Sequence, residues 1–381
     1  MNCNNIYIAG QSKGSYRTQN LIKFLLDNEY NIYYNSIHLK IFSESKGLNS
    51  ILRKIVRFID EIFKRLTICY NIIACDVLII PAMCNHIQFE LIIARIFRKK
   101  IITDFYLSIY DTIVLDKTIV KKKSRKAKYY YNIDLNLLKK SNYIFFLNQT
   151  EADYYLSLFN ISFNPFKHII LPLCIEESIK CKLKYFQNKN KVFNICWWGN
   201  YLPLHGLDVI IESISFLRKK SDLNVKLYIF GNENQKKILE YTNLINSLDL
   251  QGYVIIKSGF SFKNGKLSNF LKENCDLVMG NFGDSSKAKN VLANKVLDGI
   301  GMKSPVLNGE SIAPKRYFSE KHIFYSINDP NQISNKILEI SKLSEKEINY
   351  RVRSSYEIFL KSFSTSAYYS NLNKFFTNKF K

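Results

Sequence analysis

Short apolar runs separated by helix-length stretches recur along this sequence, and that alternation constrains the fold more than any single motif. In the first half, runs at 6–9, 32–35, 77–80, 101–103 and 144–147 read as strands. Helices are expected between them, near 18–26, 51–66, 87–97 and 127–140. A helix between two short apolar strands carries the chain back to start the next strand parallel, so the pattern predicts a doubly wound parallel α/β sheet. It pauses over the polar, lysine-rich residues 176–191 and then begins again. Strands are expected at 192–198, 225–230, 254–257, 277–279, 305–307 and 322–325, with helices at 207–217, 235–248, 266–272 and 293–301. Helical stretches at 332–341, 345–363 and 367–376 finish the chain. A length of 381 residues accommodates two such sheets. The expected division is a domain over 1–175, a linker over 176–191, a second domain over 192–345 and helices over 346–381.

Composition narrows the function. The eight cysteines are scattered with no C-x-x-C pair and the five histidines lie far apart, so no metal site is expected and the thiols read as reduced, in a cytosolic protein. The opening MNCNNIYIAG passes almost directly into a strand, so no signal peptide is expected. The most apolar stretch, 66–81, is interrupted by Tyr70, Asn71 and Asp76, and no spanning segment is expected. A net charge of +23 calls for nucleic acid, anionic lipid or a phosphorylated substrate, or else reflects a chain simply rich in lysine and asparagine. No recognisable nucleic-acid module accompanies it, so no specific nucleic acid is expected as a partner. Over 51–66, Ile51, Leu52, Ile55, Val56, Ile59, Ile62, Phe63 and Leu66 fall at helical spacing, with Arg53, Lys54, Arg57, Lys64 and Arg65 on the other side. Further basic runs lie at 95–100 and 117–128. Such a helix reads equally as an element that binds anionic lipid and as a core-packed helix with a solvated face.

The stretch DLVMGNFGDSSKAKNVLANKVLDGIGMKSPVLN, residues 276–308, carries the most chemistry. An apolar strand ends in a Gly-bearing loop, a basic segment with Lys287 and Lys289 follows, and a helix opens at Asn294 and Lys295. A helix start beyond the ends of parallel strands offers unpaired N–H groups and a positive dipole end, a seat for a diphosphate. Lys295 and Asp298 are three apart and share one face, a cation for phosphate beside a carboxylate for sugar hydroxyls.

This stretch resembles the donor-binding segment of GT-B glycosyltransferases, in particular the large retaining group, glycosyltransferase family 4-like, that includes many bacterial surface-polysaccharide enzymes. Phe-Gly-Asp, Lys-Ala, Asn-Lys-Val, an acidic residue and Gly-x-Pro-Val recur there in the same order. The resemblance implies two Rossmann-like domains facing a cleft, with the C-terminal helices packing back on the N-terminal domain. It implies that Lys289, Asn294, Lys295 and Val296 surround the donor diphosphate and that Asp298 holds the ribose. The loop Trp198-Gly199-Asn200-Tyr201-Leu202-Pro203-Leu204-His205-Gly206 matches the relatives' second phosphate loop, whose Arg and Lys are replaced here by Asn200 and His205. Many relatives also carry an acidic residue near the sugar, where this chain has Asn290. In the first half, residues 103–112 resemble the relatives' acceptor-side run. Asp104 is the expected general base, with Asp111 and Asp116 beside the acceptor. Gly10 and Gly14, in Gly10-Gln11-Ser12-Lys13-Gly14, fit a Gly-rich loop that lets ligand approach the backbone better than they fit a hydrolase nucleophile elbow.

The resemblance thus implies a hexosyltransferase, retaining and metal-independent with no resident cofactor, consistent with the lack of any D-x-D. It would move a sugar from a nucleotide-sugar donor to a glycan or lipid-linked acceptor in lipopolysaccharide, O-antigen or capsule synthesis. Its place would be cytoplasmic, peripheral on the anionic inner face of the cytoplasmic membrane. The losses at Asn200 and Asn290 keep open a non-catalytic GT-B-like protein that binds nucleotide or glycan without turnover.

Overall fold

The computed structural model describes residues 4–10, 15–34, 50–175 and 192–380, with backbone alone at 50–53 and 55–57. Its strands form two separate, all-parallel sheets. The first contains β1 (Asn5–Ile8), β2 (Asn31–Tyr34), β3 (Val77–Ile80), β4 (Lys100–Asp104), β5 (Tyr143–Phe146) and β6 (His168–Ile170), in the order β2-β1-β3-β4-β5-β6. The second contains β7 (Phe193–Gly199), β8 (Val225–Gly231), β9 (Val254–Lys257), β10 (Leu277–Met279), β11 (Val306–Gly309) and β12 (Phe324–Ser326), in the order β12-β11-β10-β7-β8-β9. β3 is buried along its whole length and β7 over its first six residues, as strands covered on both faces must be.

The helices of the first half are α1 (Tyr16–Asp27), α2 (Ser50–Ala74), α3 (Gln88–Ile96), α4 (Arg125–Lys140) and α5 (Gln149–Leu158). Those of the second are α6 (Leu207–Lys220), α7 (Gln235–Ser247), α8 (Lys266–Asn274), α9 (Ser286–Asn290), α10 (Asn294–Gly301), α11 (Ile312–Lys315), α12 (Pro330–Ser341), α13 (Glu345–Ser362) and α14 (Thr365–Phe380). α5 and β6 were not expected from the sequence. α5 is polar along most of its length and is signalled only by its cap, Asn148, whose side chain accepts from the Glu151 N–H. β6 has three residues, too few for a periodic signal.

The chain divides into two compact units, Met1–Leu171 with Tyr369–Lys381, and Pro172–Tyr368. The expected linker, 176–191, lies outside the described residues. In unit 2 the buried Phe359 of α13 lies against Gly301 of α10. In unit 1 the end of α14 completes the core. Phe375 meets Tyr143 and Phe145 of β5 at ring distances of 5.2 and 4.9 Å, and Phe376 meets Phe24 of α1 at 5.9 Å.

Both sheets reverse their winding once, between β1 and β3 in the first and between β7 and β10 in the second. At such a reversal the connections leave in opposite directions and open a crevice at the carboxyl ends of the strands, where α/β folds bind ligands.

Candidate functional site

In unit 2 the loops leaving β7 and β10 are zipped together at that reversal. The Phe282 N–H donates to the His205 carbonyl and the Gly283 N–H to the Leu204 carbonyl. Gly206 makes this contact possible. Its φ is +57°, and a Cβ there would lie 2.4 Å from the Phe282 carbonyl carbon. Gly199 has φ +142°, and a Cβ on it would lie 3.4 Å from Lys295 Nζ and 3.7 Å from His205 Nε2. The glycine therefore leaves room directly over a lysine and a histidine.

Lys295 stands in the first turn of α10, and only 3 % of it is exposed. Its Nζ makes no hydrogen bond and sits 4.0 Å from the centre of the Trp197 ring. Burial drives its pKa well below the usual lysine value, an effect that nearby Asp298 partly opposes. The residue before α10, Ala293, supplies no side-chain cap; its carbonyl accepts from the Val296 N–H, and the N–H groups of Asn294 and Lys295 precede that bond at the helix start. Asp298 accepts from the Trp198 indole N–H at 3.2 Å; burial pushes its pKa up to about 7 against the pull of that bond and of Lys295. His205 bonds through Nδ1 to Asn281 Oδ1 at 2.7 Å. Burial first, and the Lys295 charge second, lower its pKa to about 3, so the imidazole is neutral. With Asn281 Oδ1 accepting, the proton is on Nδ1 and Nε2 presents a lone pair beside Gly199.

The structure thus brings together Gly199, His205, Asn294, Lys295 and Asp298 of the expected donor residues. Val296 is nearby, but its side chain is fully buried in the core. Lys289 is exposed at the end of α9. Asn200 is exposed, and its Oδ1 accepts from the Asn232 amide. Asn290 turns its amide back onto the Ser286 carbonyl. Two partners were not expected. Trp197 forms the face under Lys295, and Asn281 fixes the His205 ring while its own backbone N–H bonds the buried Asn308 side chain. Asn281 lay within the Gly-bearing loop, but a neutral amide gives sequence reading no reason to prefer it over its neighbours.

The residues expected in unit 1 are more deeply held. Asp104, at the end of β4, is 2 % exposed and accepts from Arg17 Nε at 2.7 Å; Arg17 is equally buried and also donates to the Leu171 carbonyl. Burial raises the Asp104 pKa and the Arg17 charge opposes it. A general base has to touch the acceptor hydroxyl. In this structure one Asp104 oxygen is held by Arg17, and the other, Oδ1, is buried without a hydrogen-bond partner. Asp111 and Asp116 bound one π-helical turn, a local underwinding frequent at functional sites. Asp111 accepts from the Tyr154 hydroxyl at 2.6 Å, and burial with that acceptance pushes the phenol above its usual range. The turn hangs from Asp134, which accepts from Ser108 Oγ, Asn85 Nδ2 and the Tyr110 N–H at 2.7, 2.8 and 2.9 Å. Gly10 has φ +81°, and the space a Cβ would take is filled by Ile87 and Cys84, so its need for glycine is a matter of turn and packing. Gly14 lies outside the described residues.

No family model matches the sequence, and no curated protein matches it. The fold has clear counterparts. HepE of Anabaena, solved with UDP and glucose, superposes with a TM-score of 0.67 at 9 % identity over 98 % of this chain and 99 % of its own. Sucrose-phosphate synthase of Thermosynechococcus elongatus gives 0.69 at 10 % identity over 99 % and 98 %. The lipopolysaccharide outer core galactosyltransferase WaaB, in its apo form, gives 0.63 at 10 % identity over 98 % and 99 %. The chain has the GT-B fold of these neighbours, two Rossmann-like α/β domains with a helical C-terminal segment.

Proposed function

We propose that this chain is a glycosyltransferase that moves a hexose from a nucleoside diphosphate sugar to a glycan or lipid-linked acceptor in the assembly of a bacterial surface polysaccharide. One observation carries the reading. Lys295 is a buried amine with no hydrogen-bond partner, at the start of an uncapped helix and beneath the space left by Gly199, at the reversal of sheet 2. A buried cation without a partner is costly, and a diphosphate oxygen would complete it.

In the reaction the bond from the anomeric carbon to the diphosphate oxygen breaks as the acceptor oxygen bonds that carbon, and the acceptor proton passes to the departing diphosphate. Negative charge then grows on the departing diphosphate. Lys295 and the N–H groups opening α10 would meet that charge, and the proposal needs no metal to do so. Asp298 would accept from the ribose hydroxyls, and the His205 lone pair from a hydroxyl of the donor. On the acceptor side the proposal keeps Asp111 and Asp116, and gives Asp104 the work of fixing β4 through Arg17. Retention at the anomeric carbon remains part of the proposal, as in the group that residues 276–308 resemble. HepE has also been solved with UDP-glucose, which favours a UDP-sugar as donor, and WaaB supports a lipopolysaccharide-type acceptor. An acceptor of that kind would place the protein on the anionic inner face of the membrane; among the described residues no helix is long and apolar enough to cross one.

A second reading is favoured by the amides of Asn200 and Asn290, both turned to protein partners: a GT-B protein that binds nucleotide sugar without turnover. Incubation with UDP-, GDP-, ADP- and CMP-sugars, with released nucleotide as the signal, separates the two. Slow release from one donor, lost in Lys295→Ala, is the expected result. Thermal stabilisation by one nucleotide without release, even with glycan acceptors supplied, would favour the binder, and neither response would overturn the site.

A further inference from the structure

We propose that α2 is a membrane-docking helix that seats its outward apolar arc in an anionic bilayer, which deepens the membrane part of the reading above. From Phe58 to Ile73 the helix shows two separate apolar faces. At 100° per residue, Ile68 and Ile72 point to one side, and both are buried in the core of unit 1. On the other side Phe58, Ile59, Ile62, Phe63, Leu66, Tyr70 and Ile73 share an arc of about 140°. Every one of the seven is exposed, Phe58 by 68 %, Leu66 by 59 % and Tyr70 by 71 %. The neighbouring α3 adds exposed Ile92 and Ile96. Isolated apolar side chains on a surface need no explanation, but a contiguous stripe over four turns marks a contact surface.

Charge decides the occupant. α3 touches both α2 and α4, and the segment that leads into α4 holds Lys117, Lys121, Lys122, Lys123, Arg125, Lys126 and Lys128 with no carboxylate among residues 117–128. All seven are exposed. On α2 itself Lys64 and Arg65 straddle Glu61 at 3.7 and 3.3 Å, which leaves that end of the helix without free negative charge apart from Asp60. A second copy of a chain with net charge +23 would bring like charges together. An anionic lipid surface attracts them and takes the apolar arc into its acyl boundary.

The test is co-sedimentation of the full chain with vesicles of equal parts phosphatidylglycerol and phosphatidylcholine, and with phosphatidylcholine alone. Binding is expected to the anionic vesicles only. Phe63→Ser with Leu66→Ser should weaken it at least about tenfold, and Lys121→Gln, Lys122→Gln and Lys123→Gln together about a hundredfold. All five side chains are exposed, so circular dichroism should be unchanged. Binding indifferent to the apolar pair would mean that charge alone holds the protein and would overturn the proposal. So would a dimer in light scattering that the apolar pair dissociates, since a second copy then covers the arc. Nucleotide-induced thermal stabilisation, measured in parallel, reports on the donor site separately and is expected to be the same in every variant.

Discussion

Lys295 and Asp298 are each driven toward the neutral form by burial, and each pulls the other back toward charge. The consequences for pH have opposite signs. Lys295 has a folded pKa below its unfolded one, so it penalises the empty protein at low pH, and the penalty fades as pH climbs toward the unfolded value of 10.5. Asp298, raised from 3.8 to about 7, contributes stability that is present at acid pH and lost as pH rises through about 7. A diphosphate favours the charged lysine, so binding should take up a proton. UDP affinity is then expected to fall by up to about tenfold per pH unit above the folded lysine pKa. Calorimetry in buffers of different ionisation enthalpy checks this; proton uptake present in the wild type should vanish in Lys295→Ala. The same substitution should lower UDP affinity about 10- to 150-fold, the worth of a hydrogen bond to a charged group, and leave the empty protein as stable or more so. Loss of stability on that substitution, measured by urea unfolding, would mean that Lys295 is a structural cation. These two residues were legible in the sequence because charge at helical spacing is a strong signal. The burial of Asp104 was not, since its partner Arg17 stands 87 positions away and no local pattern joins them.

At the scale of elements, two loops and one turn hold the site residues, and each is fixed by a feature that pattern reading sees only in part. Gly206 could be read as a turn glycine, but its role as the point where the β7 and β10 loops close on each other depends on Phe282, far along the chain. Gly206→Ala combines a left-handed φ with a Cβ driven into backbone and is expected to cost roughly 3–5 kcal/mol. Gly252 has φ +83° with nothing within 4 Å of a Cβ, so Gly252→Ala should cost only about 1 kcal/mol. Urea unfolding of the pair separates conformational strain from collision. Asp134 is the counterpart in unit 1. Asp134→Asn would set an amide N–H₂ against groups that are all donors, costing about 2–4 kcal/mol and loosening the turn that carries Asp111 and Asp116. Hydrogen exchange at residues 109–116 should rise in this variant; unchanged protection there would mean that the π-helical turn stands without Asp134. The long, strongly periodic elements were legible from sequence, whereas α5 and β6 were not. One is polar and the other too short, and both are held by neighbours rather than by their own pattern.

For the whole molecule, the N-terminal sheet is not closed by N-terminal residues alone. β5 and α1 are covered by aromatic rings from the last turns of α14, and the Tyr369 hydroxyl donates to Asp27 at 2.9 Å. The pattern of strands and helices gives no hint of this, which only the resemblance implied, because the rings that complete the first pattern arrive more than two hundred residues after its last strand. Unit 1 therefore needs residues 369–381, and a fragment ending at Leu171 would expose the faces that Phe375, Phe376 and Phe380 cover. Phe375→Ala is expected to destabilise the protein by about 3–5 kcal/mol, the usual cost of emptying a buried phenylalanine site. The loss should fall on unit 1. In a calorimetric scan that resolves two transitions, the one belonging to unit 1 should move down while UDP still raises the other. A single transition that moves as a whole would mean that the two units unfold as one cooperative body, and an unmoved scan would mean that the C-terminal rings rest on a surface able to close without them.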